Sequence, residues 1–192
     1  MNDPKRLVLA SASPRRRELL ARFDLNFDVI PAAIDEHRLT NETARDHVVR
    51  VALGKARSVA DSHPDAWVLG SDTEVVLDGE SLGKPADPRE AASMLERLSG
   101  RTHEVMSAVV LIGPEGDESS ALNITRVEFG ELSNQWIATY IASGDPMDKA
   151  GAYGIQNQAG TRIRRIDGSY TAVVGLPLFE TGELLRAAGL IA

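Results

Sequence analysis

The stretch that most constrains this chain is 7–17, which reads LVLASASPRRR. Its apolar start, 7–10, predicts a short buried strand. Ser13 suits the N-cap of a helix and Pro14 its first position, because proline has no N–H to leave unpaired there. The small residues in between let the backbone come close to a ligand. We therefore expect a strand, a close turn and a helix beside a binding site.

Three arginines, Arg15, Arg16 and Arg17, fall in the first turn of this predicted helix. The N-terminal end of a helix carries partial positive charge, so each cation there costs about 0.3–1 kcal/mol. Three cations together predict a site for a multiply charged anion, most simply a phosphate chain. The alternative is that one or two of them point to solvent or pair with acids elsewhere. We expect Arg17 to be the one that takes no part in the site.

The composition makes this basic cluster an exception in an acidic protein. The 192 residues carry a net charge of −7, which argues against broad nucleic-acid binding, because such binding requires a basic face. The absence of cysteine excludes a disulfide framework and thiolate chemistry. No long apolar segment indicates a secretory signal or a membrane span. We expect a cytoplasmic protein that binds neither nucleic acid nor a membrane.

Apolar periodicity and capping residues predict strands and helices that alternate along one domain, residues 1–192. Strands are predicted at 7–10, 27–30, 66–70, 75–77, 103–112, 121–129, 161–166 and 170–174. Helices are predicted at about 14–23, 43–60, 87–98, 133–141 and 177–188, the first four of them capped by Ser13, Thr43, Asp87 and Ser133. An Asp-Gly pair at 78–79 predicts a hairpin turn. The hairpin-like middle of the chain favours an α/β fold with a mixed sheet over a fully parallel one.

Two acidic residues are candidates for chemistry. Asp72 follows an apolar strand among small polar residues, and α/β proteins place reactive groups at strand ends. A carboxylate there could bind Mg²⁺, orient water or act as a general base, but an acid that merely caps a turn would look the same. Glu36, in the polar loop 31–41, is either a solvated acid or a second carboxylate ligand of the same metal. The residues alone leave these alternatives open.

Lys55, Lys84 and Gln156 are further candidates for ligand contacts. The two lysines could bind phosphate, although single lysines are usually solvated. Gln156 ends a glycine-rich run that either brings backbone amides to a ligand or forms a tight loop. Neither the P-loop pattern nor the dinucleotide fingerprint is matched. The histidines show no metal-ligand spacing and are expected in structural or surface roles: His37, His47, His63 and His103.

Six motifs occur in an order and at a spacing that resemble the Maf family of nucleoside triphosphate pyrophosphatases over essentially the whole chain. They are LASASPRR at 9–16, GSDT at 70–73, GKP at 83–85, SGRTH at 99–103, DKAGAYGIQ at 148–156 and VGLP at 174–177. The resemblance implies an inosine-triphosphatase-like α/β fold. Such a fold has an elongated mixed sheet flanked by helices and a cleft between two lobes.

The same resemblance implies hydrolysis between the α and β phosphates of a nucleoside triphosphate, which releases a nucleoside monophosphate and pyrophosphate. It also implies a divalent metal, Mg²⁺ or in its place Mn²⁺ or Co²⁺. By match, Asp72 accepts the proton of the attacking water and binds the metal together with Glu36. The remaining matched residues line the phosphate and metal site: Ser13, Arg16, Lys55 and Lys84. A homodimer is implied by the resemblance alone.

Three positions indicate a branch of the family. Arg15, Thr73 and Gln156 match the branch that acts on dTTP and UTP, and we expect all three to contact substrate. The branch that acts on 7-methyl-GTP has an aromatic residue where Arg15 stands. The enzymatic alternative is the same reaction on 7-methyl-GTP or a modified nucleotide. The non-enzymatic alternative is a nucleotide-binding regulator of septum formation.

Overall fold

A mixed sheet organises the computed structural model, which describes residues 5–192. Its strands in this range are β1 (Leu7–Leu9), β2 (Phe27–Val29), β3 (Trp67–Leu77), β4 (Glu80–Leu82), β5 (Thr102–Ile112), β6 (Glu118–Phe129) and β7 (Ile163–Asp167). The order across the sheet is β2-β1-β3-β5-β6-β7, with β4 paired to β3. β1 runs parallel to β2 and β3, and the other pairings are antiparallel. The predicted mixed sheet is confirmed.

Helices flank this sheet, and four of them begin at the capping residues that the sequence predicts. They are α1 (Pro14–Leu20), α2 (Ala44–Ala60), α3 (Pro88–Leu98), α4 (Asn134–Ala142), α5 (Tyr170–Val174) and α6 (Leu178–Ala187). Ser13, Thr43 and Ser133 each accept a hydrogen bond from the backbone N–H three residues later, and the Asp87 carboxylate accepts from the Arg89 and Glu90 N–H groups. Over residues 5–192, no helix has the length and apolarity needed to cross a membrane.

The core lies on both faces of the sheet. Val8 and Val68 belong to a buried cluster with Ala52 of α2 on one face. Leu9 and Leu69, the next residues along each strand, belong to a second cluster on the other face, which includes side chains of α1, α3 and α6. This assignment follows from the strand period of two, which sends neighbouring side chains to opposite faces.

β3 leaves part of one edge unpaired. β1 pairs with its beginning, at Trp67–Leu69, and β4 pairs with its end, at Val75–Leu77. Between these two, 70–74 pairs with β5 on one side, and no strand within the described part of the chain pairs with it on the other. The polar residues of β3 therefore border open space on a rigid strand.

The expectation that a strand ends at Gly70, just before Asp72, is wrong. β3 continues without a break because β5 pairs with it from Val68 to Val76. Asp72 thus lies in the middle of a long strand, although it also lies just past the point where the shorter β1 ends. The hairpin turn expected next is present: Asp78 and Gly79 have φ of 53° and 81°, as a turn with two left-handed residues requires.

The expectation of a strand at 170–174 is also wrong, because this segment forms α5. Ser169 caps it by accepting a hydrogen bond from the Ala172 N–H. A short apolar run does not distinguish a strand from one buried turn of helix. The predicted strand 161–166 starts later than expected, since 158–162 forms a 3₁₀ turn before β7 begins.

Gly70 lets α2 pack directly on β3. A Cβ at this position would lie 2.4 Å from the Ala52 carbonyl oxygen and 2.8 Å from the Ala56 nitrogen. Both are backbone atoms, so the helix itself would have to move. The separation of α2 from β3 therefore depends on the absence of a side chain here.

We expect Gly70→Ala to lower the free energy of unfolding by about 3 kcal/mol or more, because overpacking against backbone cannot be relieved by a change of rotamer. Urea denaturation measures this loss. Gly83→Ala is the matched control, since a Cβ there meets nothing within 4 Å. Equal stability of the two variants would contradict the close contact.

Candidate active site

The unpaired edge of β3 opens into a cleft of about 1030 Å³. Its lining comes from the turn before α1, the loop that follows β2, α2, and the segments 148–150, 153–157 and 173–175. Every site residue predicted from the sequence lines this cleft, in full: Ser13, Arg15, Arg16, Glu36, Lys55, Asp72, Thr73, Lys84 and Gln156.

Arg16 extends from the first turn of α1 to the 173–175 segment and lines the cleft. Its Nε donates to the Gly175 carbonyl oxygen at 2.9 Å, and its Nη atoms reach the Ser11 and Thr73 hydroxyl oxygens at 3.4 Å. Nη2 also lies 3.9 Å from Asp72 Oδ1. Burial lowers the pKa of the Arg16 guanidinium, and the nearby carboxylates Asp72 and Glu36 oppose that effect. The guanidinium is thus fixed in place before any ligand arrives.

The three neighbouring arginines differ in their surroundings. Arg15 lines the cleft and pairs with Asp148 at 3.4 Å, with its side chain only part-buried. Arg17 is exposed and is not part of the cleft wall. Ser13 supplies the cap that orients this turn, since its hydroxyl accepts from the Arg16 N–H. The arrangement presents Arg15 and Arg16, but not Arg17, to a ligand.

Lys55, Asp72 and Glu36 form a chain of ion pairs. Lys55 Nζ of α2 lies 2.8 Å from Asp72 Oδ1 and 2.9 Å from Glu36 Oε2. The Lys55 and Asp72 side chains are nearly buried, whereas that of Glu36 is about half exposed. Attraction between these charges is stronger here than at the surface because little water screens it. Asp72 is thereby kept between two cations, Lys55 and Arg16.

Lys84, Gln156 and Thr73 occupy different parts of the wall. Lys84 and Gln156 are exposed side chains at the rim of the cleft. The Thr73 hydroxyl lies 2.9 Å from the Ser107 hydroxyl and 3.4 Å from the Gly175 carbonyl oxygen. Thr73 therefore fastens the 173–175 segment to the sheet.

Sequence reasoning missed Glu74 and His47. Glu74 lies two residues after Asp72 on β3, so the strand period places both acids on the same face. The two-residue spacing from Asp72 could therefore have identified Glu74 from the sequence. His47 lies on α2 and contacts Glu74 and the Glu36 backbone across the cleft wall, which no local pattern indicates.

The donor set bears on the divalent metal that the sequence resemblance implies. Within residues 5–192, no group of three or more His, Cys, Asp or Glu side chains is arranged to hold a metal. Glu36 and Asp72 offer two carboxylates on either side of Lys55. Mg²⁺ accepts few protein carboxylates when water and substrate phosphates supply its other ligands. The residues therefore fit a metal that arrives with a polyphosphate, and not a closed protein cage.

Tyr153, at the start of the 153–157 segment, packs into a cluster of aromatic rings. Tyr153 packs edge-on against Phe129, with ring centroids 4.9 Å apart. Its hydroxyl lies 2.7 Å from His103 Nε2. Burial lowers the pKa of His103 to about 4, because the charged ring would have no water around it. His103 is therefore a neutral residue at pH 7, and its burial selects the structural role from the two that the sequence leaves open.

This burial of His103 predicts a pH-dependent stability. Its pKa in the folded protein, about 4, lies below the ordinary 6.5, so the unfolded chain binds the proton more readily. The contribution of neutral His103 to the free energy of unfolding is fully present above pH 6.5 and is lost as the pH falls toward 4. We expect wild type to lose about 3 kcal/mol relative to His103→Gln between pH 7 and pH 4. Urea titrations at both pH values measure the difference, and parallel losses in the two proteins would contradict it.

Comparison with known proteins identifies the family of this chain. The family model for Maf-like proteins matches residues 6–188. Two curated proteins named dTTP/UTP pyrophosphatase are each 52% identical to this chain. The one from Myxococcus xanthus covers 98% of this chain and 95% of its own length, and the one from Escherichia coli K12 covers 93% and 91%.

A solved structure supports the fold. The Ham1 protein of Staphylococcus aureus superposes with a TM-score of 0.53 at 17% identity, over 96% of this chain and 97% of that one. A likeness at this level of identity concerns the architecture alone. The family match, by contrast, spans the strands, helices and cleft described above. This chain belongs to the Maf family.

Proposed function

We propose that this protein hydrolyses dTTP and UTP to the nucleoside monophosphate and pyrophosphate. The observation that carries the proposal is the placement of Asp72 between Lys55 and Arg16 in a cleft that is large enough for a nucleotide. The names of the relatives from M. xanthus and E. coli support the same substrates. Free nucleoside triphosphates are cytoplasmic metabolites, so we place the activity in the cytoplasm.

The basic residues of the cleft suit a triphosphate chain. Arg16 is fixed by the Gly175 carbonyl, so its guanidinium can stabilise charge without first being ordered. Arg15 and Lys84 are more exposed than Arg16, and we propose that they contact the terminal phosphates of a bound nucleotide. Such contacts also stabilise the pyrophosphate that leaves.

The charge of the cleft supports a requirement for a divalent cation. Its wall holds five basic side chains, Arg15, Arg16, Lys55, Lys84 and Lys149, and five acidic ones, Asp35, Glu36, Asp72, Glu74 and Asp148. With this balance the protein alone cannot neutralise a triphosphate. We propose that Glu36 and Asp72 hold Mg²⁺, with Mn²⁺ or Co²⁺ as substitutes. When bound, the metal supplies positive charge at the phosphates and makes a bound water more acidic.

The chain's own residues account for the chemical step as follows. Asp72 accepts a proton from the attacking water, whose oxygen forms a bond to the α-phosphorus. The bond from that phosphorus to the bridging oxygen breaks, and pyrophosphate leaves with the electron pair. Lys55 Nζ donates to Asp72 Oδ1 at 2.8 Å and so holds the carboxylate in a fixed orientation in the cleft.

The choice of nucleobase is assigned to the exposed segment that carries Gln156 at the rim of the cleft. We propose that Gln156, on the segment supported by Tyr153, donates to or accepts from a pyrimidine edge. Arg15 and Thr73 complete the set that matches the dTTP/UTP branch. Turnover of 7-methyl-GTP in preference to dTTP would favour the enzymatic alternative. Tight nucleotide binding without any turnover would favour a regulator.

We expect Asp72→Asn to lower kcat for dTTP by about 10²–10⁴-fold, because the amide cannot accept the proton of water. The change preserves shape, so KM should move much less than kcat. The assay must distinguish pyrophosphate from orthophosphate as the product. Wild-type rates in Asp72→Asn would remove this residue from the mechanism.

Arg16 and Arg17 offer a matched pair for testing phosphate binding. We expect Arg16→Gln to weaken pyrophosphate binding about tenfold or more, since it removes charge-assisted hydrogen bonds. Arg17→Gln should leave the affinity near that of wild type. Titration calorimetry with pyrophosphate and Mg²⁺ measures both, and equal losses would show that the effect is only one of overall charge.

A further inference from the structure

The wall of the cleft contains an acid–imidazole pair that the proposed reaction does not use. Glu74 Oε1 lies 2.8 Å from His47 Nδ1, and the two side chains are about nine-tenths buried. The other oxygen, Oε2, has no hydrogen-bond partner within residues 5–192, and Arg38 Nη2 is 3.7 Å away. Burying a carboxylate with one oxygen unsatisfied costs free energy. A buried carboxylate in this state needs an explanation, and a functional role of the Glu74–His47 pair would supply one.

The far side of the His47 ring contacts the loop that carries Glu36. His47 Nε2 lies 2.9 Å from the Glu36 backbone carbonyl oxygen. A carbonyl oxygen only accepts hydrogen bonds, so Nε2 is the donor in this contact. Glu74 holds the other ring nitrogen and so fixes the orientation of the imidazole. A continuous set of contacts thus runs from β3 through His47 to the backbone of Glu36.

This loop depends on α2 for its position. Residues 30–39 form neither helix nor strand. Arg50 Nη2 donates to the His37 carbonyl oxygen at 2.9 Å, and Ile34 packs beside Gly54. Among the described residues, His47 makes the only hydrogen bond to the backbone of Glu36. It therefore fixes the point from which the Glu36 carboxylate extends.

We infer that His47 is a positioning residue for Glu36, with Glu74 orienting its ring. The inference deepens the proposed function and rests on it, since Glu36 is there a carboxylate ligand of the divalent cation. A loop that is ordered in advance loses less conformational freedom when the cation and nucleotide bind. Groups that orient a metal ligand without touching the metal affect metal affinity by about 10–100-fold. His47 occupies that position in this cleft.

The test uses full-length protein with two readouts that need no turnover. The first is hydrogen exchange of the 33–39 amides in metal-free protein, which His47→Phe should speed up about tenfold. The second is Mn²⁺ binding, followed by electron paramagnetic resonance, in the presence of an α,β-imido analogue of dTTP. His47→Phe should weaken Mn²⁺ binding by about tenfold or more.

Three further variants separate positioning from general destabilisation. Glu74→Gln should retain most of the wild-type behaviour, because the amide still hydrogen-bonds the ring, whereas Glu74→Leu should resemble His47→Phe. Arg45→Ala, an exposed change on the same helix, is the matched control and should alter neither readout. Melting temperatures identify any variant that fails to fold.

A double-mutant cycle with Glu36→Gln decides whether His47 acts through Glu36. In the Glu36→Gln background, His47→Phe should cause no further loss of Mn²⁺ affinity. An equal loss in both backgrounds, or unchanged exchange of the loop, would overturn the inference. Wild-type protein that binds Mn²⁺ and the analogue but hydrolyses no nucleotide would instead refute the proposed function. The cycle would still show whether His47 acts through Glu36, because it measures Mn²⁺ affinity and not turnover.

Discussion

The ion pairs that Asp72 makes with Lys55 and Arg16 are the constraint on which the site depends. The three side chains come from β3, α2 and α1, and each is 10–12% exposed. Removing one partner of a buried pair typically costs about 3–5 kcal/mol, because the remaining charge stays desolvated. The three elements therefore have to dock together for any of these charges to be buried. The same docking creates the cleft.

Two features of the sheet allow this docking: an unpaired stretch of β3 and the close approach of α2 to that strand. β1 ends early, so β3 presents an unpaired edge at residues 70–74, which include its polar run 71–74. Gly70 brings α2 against the strand, with the backbone of Ala52 and Ala56 closest to it. Lys55 lies between those two positions in the helix, and Asp72 lies two residues after Gly70 on the same face of β3. The 2.8 Å contact between them follows from the closeness of helix and strand.

The local features of this protein were predictable from its sequence, and most of the non-local ones were not. Capping residues such as Ser13 and Thr43 mark helix starts through bonds to residues three positions away, so the pattern contains the whole interaction. The prediction of a strand at 170–174 failed because an apolar run of this length suits a strand as well as a helix. In the structure the segment is a helix, capped by Ser169. The contact of His47 with Glu74 joins different elements and leaves no local signal. The residues that line the cleft were assigned to one site by resemblance to a family, because their spacing in the sequence does not show that they lie together.

We propose that water activated beside Asp72 attacks the α-phosphorus. Hydrolysis of dTTP in ¹⁸O-labelled water, followed by mass spectrometry of both products, shows which phosphorus is attacked. We expect one labelled oxygen in the nucleoside monophosphate and none in the pyrophosphate. Label in the pyrophosphate, or release of orthophosphate as the first product, would contradict it.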